Sequence, residues 1–150
     1  LNPDATDAAP MDLSWRDIRM NTATIDSIFS RETLDQLFPP NRADEFFEAL
    51  FGDPSEGAYD IKLGFKGYGR KENELEFELE LHQRPGRCLA CNLTYGLPQV
   101  FSRHPVIDIQ GVVSRVGEIL GREVASWELG STRQYSSALH AVPLLVRLAG

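Results

Sequence analysis

From Glu74 to Leu81 the chain reads Glu-Leu-Glu-Phe-Glu-Leu-Glu-Leu, a strict alternation of carboxylates and large apolar side chains. A strand turns that period of two into one apolar and one charged face, whereas a helix would scatter both kinds around its axis. The fold is thereby constrained to a sheet with one face that has to be covered by another layer.

Two neighbouring stretches alternate as well. After the turn-forming pair Pro85-Gly86, Leu89, Cys91, Leu93 and Tyr95 share one parity, and Ala90, Asn92 and Thr94 share the other. This predicts a hairpin in which His82 faces Cys88, Leu81 faces Leu89, Leu79 faces Cys91, Phe77 faces Leu93 and Leu75 faces Tyr95. Before it, Ile61, Leu63 and Phe65 alternate with Asp60, Lys62 and Lys66 between Tyr59 and Gly67. A loop at Tyr68 to Asn73 then brings Lys66 to Glu74 and Lys62 to Glu78. The prediction is a three-stranded antiparallel meander with a wet, charge-balanced glutamate face, whose exposed pairs are each worth at most about 1 kcal/mol.

Helical spacing supplies the cover. Ile25, Ile28 and Phe29, then Leu34, Leu37 and Phe38, form one helix or two short ones, with Thr24 or Ser30 as cap and a stop at Pro39-Pro40. Asn41 opens a helix over Arg42 to Phe51, with an apolar stripe of Phe46, Phe47, Leu50 and Phe51. A long helix starts at Pro105, runs through Val106, Ile109, Val112, Val113, Val116, Ile119 and Leu120, and ends at Gly121. Two further strands follow, Val124 to Leu129 and Gln134 to about Val142, with Pro143 placing the last at an edge or bending it. The expected fold is α+β: N-terminal helices, the meander, one long helix packed on the sheet and two further strands. Residues 1–23 read as a tail anchored by Trp15 and Ile18, and 24–150 as a single domain.

The 150 residues carry a net charge of -7, which argues against phosphate-backbone binding. No apolar run approaches the roughly 20 residues that cross a bilayer, and the first residues have no signal-peptide pattern. The expected location is cytoplasmic, with neither nucleic acid nor membrane as partner and no cofactor. Two cysteines are too few for a disulfide scaffold and fit a reducing compartment.

Candidate chemistry is sparse. Cys88 and Cys91 form a CxxC that could hold half a metal site with His82 or His104, or exchange thiols. On a strand, however, that spacing sends the sulfurs to opposite faces, leaving Cys88 a surface thiol and Cys91 a small core residue. Arg84, Arg87 and Arg103 concentrate positive charge, and guanidinium groups clamp carboxylates or phosphates. The ordinary account of these arginines is charge balance in turns. Arg103 and His104, with Tyr95, are the candidate mouth of an anion pocket between the long helix and the sheet. His140 has no Ser or Asp partner in sequence and reads as structural. Walker, HExxH, GxSxG and dinucleotide patterns are absent from the sequence.

The stretch His82 to Ile107, HQRPGRCLACNLTYGLPQVFSRHPVI, resembles a small bacterial family without an established activity. A homeobox-type label attached to some members implies three helices and a basic recognition helix, which an acidic, strand-rich chain does not supply. The order of elements is similar to that of type III secretion chaperones, small acidic dimers, although their final helix is missing here. The expected function is a non-catalytic, chaperone-like adaptor that self-associates or offers a sheet edge to a protein partner. The alternatives are a binder or enzyme for an anionic small molecule, and a metal or thiol site at Cys88, Cys91 and His82.

Overall fold

The computed structural model describes residues 22–89, 94 and 96–150. In chain order these form α1 (Thr22–Ile28), α2 (Arg31–Leu37), α3 (Arg42–Phe51), a single 3-10 turn (Pro54–Glu56), β1 (Tyr59–Gly69), β2 (Glu74–Gln83), α4 (Leu97–Arg103), α5 (Ile109–Leu120), β3 (Val124–Leu129), β4 (Arg133–Ser136) and β5 (Leu139–Leu148). The α+β class expected from the sequence is observed. Five antiparallel strands form one sheet in the order β1-β2-β5-β3, and β4 also pairs with β5.

Leu75, Phe77, Leu79 and Leu81 are fully buried, together with Ile61 and Leu63 of β1 and Val142, Leu144 and Val146 of β5. The helices cover this face with Ile25, Phe29, Leu37, Phe46, Phe101, Val112, Val113 and Val116. Phe77 packs against the rings of Phe29 and Phe65, each 5.1 Å away between centroids. The alternation of β2 therefore does what its period demands, and burying each such side chain contributes about 1.5–3 kcal/mol.

The third strand is not where the sequence reading puts it. Both edges of β2 are occupied, one by β1 and the other by β5, with Leu75 opposite Val146, Phe77 opposite Leu144, Leu79 opposite Val142 and Leu81 opposite His140. Leu89 and Thr94 lie outside any strand, and Leu89 is buried with its N–H donating to Gln83 Oε1 at 3.1 Å. Ala90 to Leu93 and Tyr95 lie outside the described residues. β5 pairs on both sides, with β2 on one and with β3 and β4 on the other, and is buried at nearly every position. The stretch after Cys88 instead alternates with Asn92 and Thr94. The order is helices, two strands, helices, three strands, which differs from the secretion-chaperone order.

Pro143 neither ends nor edges its strand. Its carbonyl accepts from Gly130 N–H at 2.9 Å, so its nitrogen turns to the same side, away from β2. On that side β4 pairs Leu139 to Ala141 and β3 pairs Leu144 to Leu148, leaving Pro143 in the gap between them. The missing donor falls where neither strand asks for one.

The β1–β2 register is shifted from the expected one. Lys62 lies opposite Glu80, and a bulge between Phe65 and Gly67 carries Lys66 to within 3.9 Å of Glu78. The turn is tighter than the expected loop because Asn73 adopts φ 54°. The long helix begins at Ile109, not Pro105: Asp108 caps it through Gly111 N–H at 3.2 Å. The stretch before it forms α4 instead, with Pro98 in the first turn, where a proline costs no hydrogen bond.

Candidate functional site

The two outer edges of the sheet are treated differently. Along β1, helices α1, α2 and α3 pack against the strand, and Arg31 Nη2 donates to the outward carbonyl of Leu63 at 2.6 Å. Such covering is how an edge is kept from pairing with another chain.

Helices α4 and α5 pack against β3 as well, but no side chain of a described residue bonds its outward peptide groups as Arg31 bonds that of Leu63. Gly130 N–H bonds Pro143 O, and Ala149 N–H bonds Glu123 O at 2.8 Å, which fixes the residues whose peptide groups turn toward β5. Alternation around the bulge between Val124 and Ser126 turns the peptide groups of Val124, Trp127 and Leu129 outward. No backbone hydrogen bond joins that edge to another described residue.

Beside this edge lies a groove of about 700 Å³ between β3 and α5. Val113, Ser114, Gly117 and Gly121 form its helical wall, and Val124, Ala125, Ser126 and Trp127 its strand wall. Trp127 Nε1 spans the groove to Gln110 Oε1 at 2.9 Å. Gly117 sets the width: a Cβ there would stand 2.8 Å from Arg122 O and 3.2 Å from a Val124 methyl. The arrangement pairs a helix, a small-residue trough and unpaired strand groups, the geometry that accepts an extended peptide as an added strand.

The residues singled out from the sequence are dispersed. Arg103 and His104 do line a hollow together, about 370 Å³ with Gln99, Val100 and Pro105, but it is separate from the helix–sheet groove. His104 Nδ1 accepts from Val106 N–H at 3.2 Å, and its ring meets Phe46 edge-on at 4.9 Å. Tyr95 lies outside the described residues. Arg84 is a staple, bonding Asp60 and Asp44 at 3.0 and 2.8 Å and the carbonyl of Pro54 at 2.8 Å while lying over the Phe47 ring. Arg87 bonds Ser55 O. His140 does have a partner, Thr94 Oγ1 at 3.0 Å, whose carbonyl accepts from Thr132 Oγ1 at 2.6 Å.

Cys88 is exposed but not the free thiol expected: it is disulfide-bonded, and Cys91, outside the described residues, is the only other cysteine in the chain. The spacing argument that kept the sulfurs apart holds only on a strand, and Cys88 is not on one. A disulfide sulfur is no thiolate ligand, so the metal reading of Cys88 concerns the reduced form. His82 Nε2 lies 3.0 Å from Glu80 Oε1 on the open face of the sheet. Among the described residues no three His, Cys, Asp or Glu side chains converge on a metal position.

The glutamate row is less wet than the alternation implies. Glu78 is 1% exposed and is met by Arg133 Nη1 at 2.9 Å, by the Tyr135 hydroxyl and by Lys66. Arg133 also holds Glu76 at 2.8 Å. Bonding to Tyr135 and then to Glu76 raises the Arg133 pKa further, so this guanidinium is a permanent counter-charge. Both β4 side chains reach across β5 to β2, which is possible because Ala141 and Pro143 present little bulk beneath them. The cluster is saturated by its own partners and straps β4 to the sheet.

Comparison with family models, curated proteins and solved structures finds no match. Among the described residues no helix is long and apolar enough to cross a membrane.

Proposed function

We propose that this chain is a non-catalytic protein-binding domain that takes an extended segment of a partner as an added strand on β3, beneath α5. The observation that carries the reading is the β3 edge beside the groove, whose outward peptide groups bond no other described residue, set against a β1 edge on which Arg31 takes the outward carbonyl of Leu63. Backbone pairing supplies affinity in this mode, and pockets for alternate side chains supply selectivity. The test is a titration of isotope-labelled protein with a short peptide of alternating Thr and Val, followed by amide NMR. Shifts concentrated at Val124 to Leu129 and on the Ser114 side of α5 are expected. Shifts confined to the glutamate face or to α4 contradict the reading.

A second reading is favoured by the hollow at Arg103 and His104, where Arg103 is exposed and makes no ion pair with a described residue. There a small anion would be held by the guanidinium. Titration with inorganic phosphate, repeated on Arg103→Ala, separates the two: a saturable signal lost in the variant supports the anion site, and none removes it.

A further inference from the structure

Resting on the strand-addition reading, we infer that the segment taken by the β3 groove is basic, with Lys or Arg alternating with apolar residues. The groove walls carry two carboxylates, Glu118 at the end of α5 and Glu123 before β3, both exposed. Neither forms an ion pair with a described residue. Glu128, also exposed and without such a pair, adds a third carboxylate along the same edge. The one cation among the groove-lining residues, Arg122, is turned to the carbonyl of Ala149 at 3.0 Å. The chain as a whole, these groups included, carries a net charge of -7, so the long-range field also favours a cationic approach.

The floor asks for the second half of the pattern. Val124 and the Trp127 indole are apolar and half-buried, while the exposed Gly121 and Ala125 carry little or no side chain and leave room beside them. In an added strand, alternate side chains point toward α5 and the others toward the opposite face of the sheet. Apolar residues would meet Trp127, cations on the opposite face would meet Glu123 and Glu128, and a cation at the end of the segment would meet Glu118. A second copy of this chain fits poorly. Its own edge carries Glu123 and Glu128, so antiparallel pairing of two β3 strands brings carboxylates against carboxylates, which is unfavourable.

The experiment compares three short fluorescent peptides by anisotropy at low ionic strength: alternating Lys and Val, alternating Thr and Val, and alternating Glu and Val. The Lys-Val peptide is expected to bind tightest. The double variant Glu118→Gln, Glu123→Gln should weaken it about tenfold and leave the Thr-Val peptide unchanged. A Lys-Val peptide N-methylated at alternate residues keeps its charge but loses donors, and it should not bind. Equal affinity for the three peptides, with shifts still on β3, overturns the charge inference and leaves the strand-addition reading standing. Equal binding of the N-methylated peptide, or no peptide shifting β3 amides, overturns both.

Discussion

At the residue scale the best-defined interaction is the neutralisation of Glu78. A buried carboxylate survives only if paired, and removing its partner costs more than the pair itself contributes. Arg133→Ala is therefore expected to destabilise the fold by about 2 kcal/mol, less than a fully buried pair because half-exposed Arg133 is partly screened and Tyr135 and Lys66 remain. Replacing Glu78 by Leu in the same chain should recover much of that loss, and urea unfolding of the single and double variants measures it. Tyr59 gives the pH counterpart. Burial pushes its phenol well above the ordinary value, so the folded state holds its proton more tightly than the unfolded state does. Stability from this group is full below about pH 10 and falls as pH rises toward the folded pKa. Tyr59→Phe should lose less stability than the parent between neutral pH and strongly alkaline solution, as read by denaturant midpoints.

At the element scale, α5 and β3 are held close by a residue with no side chain. Gly117→Ala places a methyl against Arg122 O and the Val124 side chain, and is expected to cost about 1–3 kcal/mol while widening the groove. Thermal unfolding and Trp127 fluorescence report the two effects together. The same scale shows what a sequence can and cannot say. The period of Glu74 to Leu81 gives a strand and its buried parity directly, and the helix that ends at Gly52 is legible from its apolar stripe and that glycine, although Asn41 makes no side-chain cap bond. Choice of partner strand is not local: the Leu89 stretch alternates well, yet it is β5, from the far end of the chain, that pairs with β2. Pro143 hid that outcome, since whether a proline breaks a ladder depends on which side its nitrogen faces.

At the scale of the whole molecule, one edge of the sheet is closed and the other is open beside a groove. Arg31 closes the β1 edge at the Leu63 carbonyl, and other arginines tie elements together through carbonyls in the same way: Arg42 to Ile107, Arg115 to Leu37 and Arg122 to Ala149. None of this is periodic, so the sequence shows arginines without showing their roles. The groove was equally hidden. Trp127 falls on an expected strand, but that its outward peptide group is bare follows from the strand order alone. We propose that this edge is open in the free protein and is filled by a strand of the partner. Residue-resolved amide exchange, with and without the alternating Thr-Val peptide, tests it most directly. The account predicts rapid exchange at Val124 and Trp127 in the free protein, slowing on peptide addition, while β5 amides stay protected throughout. Amides of Val124 and Trp127 already as slow as those of β5, or unaltered by saturating peptide, would contradict it.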